Sequence, residues 1–231
     1  MRIWIICCAV ALIMGALSGP LVSADSQSAS APPDATNSRA AAPNHAAGAA
    51  GKTPANVPMS DEDKANQLSD QVGKLMVKCV NLLTAQDPLS LDYCKQQRDL
   101  ADQYPPHLRM TDKMLAHDEY GIALAAFDHK KEALEEFDRE VLLLPKAVKP
   151  GSTEWSTAYW HRAMIYSELG DSAHADHDYW EAEDSLRKEQ KTEGGSHPNK
   201  KMRSVLRQHA ALLLKEGKPD AAQKLLAEAA Q

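Results

Sequence analysis

His174 and His177 stand three residues apart in the run H-A-D-H-D, with Asp176 and Asp178 beside them, and are the residues best suited to metal chemistry. On a helix, residues three apart are neighbours, so both rings would lie on one side. A closed zinc site takes four ligands, and a catalytic one takes three plus water. No third ligand is identifiable by motif. The chain also has no H-E-x-x-H, no G-x-S-x-G, no phosphate-binding glycine loop and no C-x-x-C. These absences argue for a polar surface at His174 and His177, with no metal, no cofactor and no catalysis. The competing reading is a helical metal-binding protein or enzyme built on this pair.

Cys79 and Cys94 are the other reactive candidates. They flank the break Gln86-Asp87-Pro88 at nearly equal distances, which places them at similar heights in an antiparallel helix pair. Either they form a disulfide, or they are two buried thiols behaving as small hydrophobes. A bridge would also remove both from nucleophilic chemistry. The compartment matters here. Arg2, the apolar run 3–17, Gly19-Pro20 and the small residues Val22-Ser23-Ala24 read as a secretory signal over 1–24. An uncleaved anchor is the alternative. The expected address is secreted or periplasmic, with no membrane span after cleavage. Loss of Arg2 moves the formal net charge from −6 to −7. An acidic chain lacks the basic footprint of a nucleic-acid binder.

The elements that position these residues are helices. Residues 25–58 are Ala, Pro, Ser, Asn and Gly with almost no large apolar side chain, a composition for a flexible tether. Ordered sequence begins at Ser60-Asp61-Glu62-Asp63, a hydroxyl cap followed by acids in the first turn. Ala65, Leu68, Val72, Leu75, Met76, Cys79, Val80 and Leu83 then make one apolar stripe at three- and four-residue steps. Further helices are expected over 89–103, 111–127, 130–144 (stopped by Pro145), 153–169, 172–188, 200–216 and 219–230. No window alternates with period two. The class is all-α, with residues 59–231 as its folded domain.

Three of the hairpins share a spacing. Gly121, Ala163 and Ala210 are small residues late in each first helix, and seven residues on come the turns at Asp128, Gly170 and Gly217. Twelve residues on come Ala133, Ala175 and Ala222, followed four later by Phe137, Tyr179 and Leu226. Facing small residues let two helices approach, and the bulky one fills the groove beside them. In this arrangement, with G-I-A-L…E-A-L-E-E-F…P over 121–145 and A-M-I-Y-S-E-L-G-D…A-D-H-D-Y-W-E-A over 163–182, the chain resembles the tetratricopeptide repeat family. Residues 203–231 are similar to a third repeat, and 60–106 form a divergent front hairpin. The steps Ala133 to Ala175 and Ala175 to Ala222 are 42 and 47 residues, so insertions are read at 146–154 and 189–200 between otherwise standard units. An unrelated helical bundle is the alternative architecture.

The resemblance implies a helical-hairpin solenoid whose first helices line a concave groove. Asp118, Ile122, Trp160, Met164, Glu168, Arg207, Ala211 and Lys215 would map to that groove. Asp118 and Ile122 fall where chaperone-binding members offer Lys and Asn, which speaks against capture of a chaperone tail. The implied function is a non-catalytic protein- or peptide-binding scaffold or adaptor of the cell envelope, with a homotypic structural subunit as a further alternative. Core packing is the usual explanation for Trp155 and Trp180, and for Trp180 an exposed position stands beside it as the alternative. Trp160→Ala is expected to weaken partner capture and leave melting nearly unchanged. The last hairpin has no capping helix after it, so its face around Ala221, Ala227 and Ala230 is expected to meet a partner or a second copy.

Overall fold

The computed structural model describes residues 59–195 and 197–231; the expected signal segment and tether lie outside the described residues. Eight helices and no strand occur among them: α1 Asp61–Thr84, α2 Leu89–Ala101, α3 Met110–Ala126, α4 Lys130–Ala147, α5 Thr153–Leu169, α6 Ser172–Thr192, α7 Lys200–Lys215 and α8 Pro219–Glu228. None of these is long and apolar enough to cross a membrane. Packing is most extensive within the pairs α1–α2, α3–α4, α5–α6 and α7–α8, and each pair then meets the next through α2–α3, α4–α5 and α6–α7.

Local chemistry accounts for the helix ends. Ser60 caps α1 by accepting the Asp63 amide at 3.1 Å. Asp171 and Asn199 cap α6 and α7 in the same way, accepting from His174 and Met202 at 3.2 and 2.9 Å. Each such cap satisfies an amide that has no partner within the helix. All four pairs turn in one manner. Gln86, Asp128, Gly170 and Gly217 sit at φ of 56°, 73°, 85° and 75°. The amide following each donates to a carbonyl five residues back, Asp87 to Leu82, His129 to Leu124, Asp171 to Tyr166 and Lys218 to Leu213, each at 2.9 Å. This left-handed closure satisfies carbonyls at the helix end. Glycine adopts it without steric cost; Gln86 and Asp128 adopt it with a side chain in place.

Two helices run three or more residues past the end expected from sequence. α4 runs through Pro145 to Ala147 and ends only where Val148 turns extended. Proline removes one amide bond, and in the final turn that loss is small because little helix remains beyond it. α6 likewise continues past 188 to Thr192.

The core forms at the small residues. A Cβ placed on Gly121 would meet the Phe137 ring at 2.7 Å, so only hydrogen fits where α3 crosses α4. In the front pair the corresponding residue, seven before the turn, is Cys79, and it is disulfide-bonded to Cys94 with the Cα atoms 4.9 Å apart. Both cysteines are fully buried among Leu83, Ile122 and Phe137. The bridge closes a separation of 15 residues. Its reduction is expected to lower stability by about 3 kcal/mol in the chain-entropy account. Urea titration with and without a reductant measures it, and an unchanged midpoint would show that the bridge constrains nothing in the unfolded chain.

Candidate functional site

The eight residues expected to line one groove do not share one environment. Asp118, Ile122 and Trp160 are buried, at 6%, 2% and 1% exposure. They present no surface to a partner. Trp160 lies among Ala163, Met202, Val205 and Leu206, where α5 meets α7, and its Nε1–H donates to Gln208 Oε1 at 2.9 Å. Ile122 packs with Cys79, Leu83 and Ile165. Met164 is half-buried against the cluster around Trp160. Glu168 takes Lys130 Nζ at 3.2 Å, joining α5 to the start of α4. Arg207, Ala211 and Lys215 are exposed, at four-residue steps along one side of α7.

His174 and His177 are both exposed on α6. His174 Nδ1 lies 2.7 Å from Asp171 and His177 Nδ1 lies 3.2 Å from Asp178. Among the described residues, no group of three or more His, Cys, Asp or Glu is arranged to hold a metal ion. Of the two positions open to Trp180, it takes the exposed one, 54% exposed on the outer side of α6, while Trp155 is half-buried beside Tyr159. Trp160 of α5 is thus buried, against the expectation that it lines a groove, while Trp180 of α6 is exposed. Tyr179, next to Trp180 in sequence, is the residue that points inward.

The interior is unusually polar. Asp118 Oδ1 meets His161 Nδ1 at 2.6 Å, tying α3 to α5. Glu140 is fully buried nearby; burial, reinforced by the charge of Asp118, pushes its carboxyl well above the usual carboxylate range. Its Oε2 has no hydrogen-bond partner. Arg162 grips Asp178 with two bonds of 2.6 and 2.9 Å and reaches Asp138 of α4 at 3.0 Å. Burial alone would lower the Arg162 value, but the bonds and charge of Asp178 hold it above the ordinary one. Glu119, buried on α3, is pushed up to about 8 by burial, against the opposing hydrogen bond from Gln97. Lys201, reaching Thr157 Oγ1 at 2.7 Å, is lowered by burial to about 8.

No protein-family model matches the chain, and no curated protein matches it. Among solved structures, it is similar to "Crystal structure of BtubC (BKLC) from P. vanneervenii", at 16% identity over 74% of this chain and 73% of that one, with a TM-score of 0.48. At that distance nothing carries over from one protein to the other.

The surface separates by charge. Residues 197–231 hold seven Lys and Arg against three Asp and Glu, a net +4, while residues 59–195 hold 16 against 27, a net −11. Arg207 and Lys215 therefore stand on the basic end of an otherwise acidic molecule. Three further polar residues escaped the sequence reading: His117, His161 and His209. All three are buried on first helices and meet carboxylates from another helix. Their only sequence signal is position, since each lies within four residues of the small residue that marks the inner side of its helix, Gly121, Ala163 or Ala210.

Proposed function

We propose that the chain is a tetratricopeptide-like helical solenoid acting as a non-catalytic binding scaffold, whose basic α7 face engages an acidic protein or peptide segment. The observation that carries this is the row Arg207, Ala211 and Lys215, exposed on a net-positive hairpin of an acidic chain. Two cations flanking a small residue give an extended acidic segment room to approach. Such complementarity steers association and sets specificity. The nearest-neighbour order of the helix pairs is what a stacked-hairpin array requires. A secreted or periplasmic address is favoured by the Cys79–Cys94 bridge, since disulfides persist in oxidising compartments. A second copy, offering its acidic hairpins, is the competing occupant.

The test is fluorescence anisotropy of a labelled peptide alternating Glu and Leu, titrated with the full chain. Saturable binding is expected, weakening with salt and falling at least about tenfold in the Arg207→Glu, Lys215→Glu double variant. Binding that ignores the double reversal would remove α7 as the contact face. Sedimentation of the protein alone, at low and high salt, decides whether a second copy occupies that face instead.

A further inference from the structure

Each junction between successive helix pairs is crossed by a buried histidine paired with carboxylate. At the first, His117 of α3 sits between two acids. Its Nδ1 is 2.6 Å from Glu136 Oε2 of α4, and its Nε2 is 3.2 Å from Asp102 Oδ1, just beyond α2. At the last, His209 of α7 lies 2.7 Å from Glu183 Oε1 through Nδ1 and 2.7 Å from Asp176 Oδ1 through Nε2, both acids on α6. The His209 ring also stacks on Tyr179, at 5.4 Å and 15°. At the middle junction His161 meets one acid, Asp118, through Nδ1.

The number of acids decides the protonation state each geometry needs. Neutral imidazole has one N–H donor and one bare acceptor nitrogen; imidazolium has two donors. A ring with a carboxylate on both nitrogens satisfies both only as the cation. Without the extra proton, one carboxylate faces a lone pair across a contact that is part-buried at Asp102 and Asp176 and buried at Glu136 and Glu183. His161 meets a single acid, so its geometry calls for only one N–H donor.

We propose that His117 and His209 are proton-operated clamps, holding the first and last helix-pair junctions closed when protonated and releasing them when the ring loses its proton. The charges around each clamp leave the ring as the group that changes. Facing His117 are Asp102 and Glu136. Behind these acids stand Arg98 of α2, 3.6 Å from Glu136 and 4.0 Å from Asp102, and Arg139 of α4, 3.5 Å from Glu136. Lys113, on its own helix, acts on Asp102. Facing His209 are Asp176 and Glu183. Arg187 lies 3.1 Å from Glu183 and 3.0 Å from Glu228 at the end of α8, and Lys218, after α7, acts on Asp176. These arginines and lysines set positive charge behind the acids, and the ring lies between the two carboxylates as the N–H donor to both. Burial alone would lower both histidines, yet the paired carboxylates outweigh it and raise them above 6.5. Because both folded values are raised, the clamp's contribution is complete below about 6.5, the unfolded value, and is lost as pH climbs through the higher folded value. Glu119 and Glu140, also raised, add a pH dependence of the same sign, so the clamps must be separated from them by substitution.

The test is amide hydrogen exchange on the full, disulfide-bonded chain at about pH 5.5 and about pH 8.5, read as protection factors corrected for intrinsic rate. In the unaltered protein α2–α3 and α6–α7 are expected to lose protection about tenfold at the higher pH, and the α4–α5 junction less. His117→Gln should flatten the response at the first junction alone, and His209→Gln at the last alone. A response unchanged by either substitution, or one spread evenly over all junctions, overturns the proposal. Should a glutamine variant fail to fold, NMR titration of the ring protons in the unaltered protein decides: midpoints for both rings above the exposed histidines support the clamps, and midpoints at or below them refute it.

Discussion

Replacing Trp160 by alanine is expected to destabilise the protein by about 3–5 kcal/mol, the range for truncating a buried aromatic. The indole is almost wholly enclosed where α5 meets α7. Its removal opens a cavity bounded by Ala163, Met202, Val205 and Leu206, and it leaves Gln208 Oε1 without its 2.9 Å donor. Both losses act on the junction between the last two helix pairs, so α7 and α8 should loosen first. A drop in melting temperature of about 10 °C by circular dichroism is the expected size for a domain of this length. Burial thus reverses the expectation from sequence register, in which melting would hardly move. An unchanged melt would show that the ring is dispensable to the core.

Breaking the Arg162–Asp178 pair should cost a similar amount by a different mechanism. Asp178→Ala leaves a half-buried guanidinium without its bidentate acceptor, an event worth at most about 3–5 kcal/mol, the range for a fully buried pair. Asp138 at 3.0 Å, and the Tyr159 and Tyr166 rings, 5.6 and 5.8 Å from the guanidinium carbon, offset part of that loss. Because the Arg162–Asp178 contact is largely shielded from solvent, raising salt from 0.1 to about 1 M should change the deficit little, unlike a surface pair. Replacing both residues by apolar ones of similar volume should recover much of the loss. Urea denaturation of the single and double variants measures this; a double variant as weak as Asp178→Ala would mean that the pair itself carries the stability.

Local signals in the chain were legible, and long-range pairings were not. Ser60, Gly170, Gly217 and the alanines at 133, 175 and 222 act within a few residues, so helix starts, turns and close crossings followed from spacing. The cysteine bridge was legible for the same reason, since a short turn sets both heights. Trp160 and Trp180 were not, because adjacent helix positions differ by about 100° and a small register error exchanges inside for outside. The groove assignment of Asp118 followed repeat register alone, whereas inside the fold its carboxylate meets His161, 43 positions away. Such partners meet only after helix pairs stack, and no short window of sequence contains both. Pro145 misled by its usual meaning as a helix stop, which has little force in a last turn.

The four left-handed turns carry a consequence for how the chain reaches this state. Each closes over five residues, and each helix finds its main partners immediately before and after it in sequence. Search distances along the chain are therefore short, and short-range topology favours rapid folding. With most contacts made between sequence neighbours, damage near one terminus should loosen that end first, read as an earlier loss of amide protection there than in the distant helix pairs.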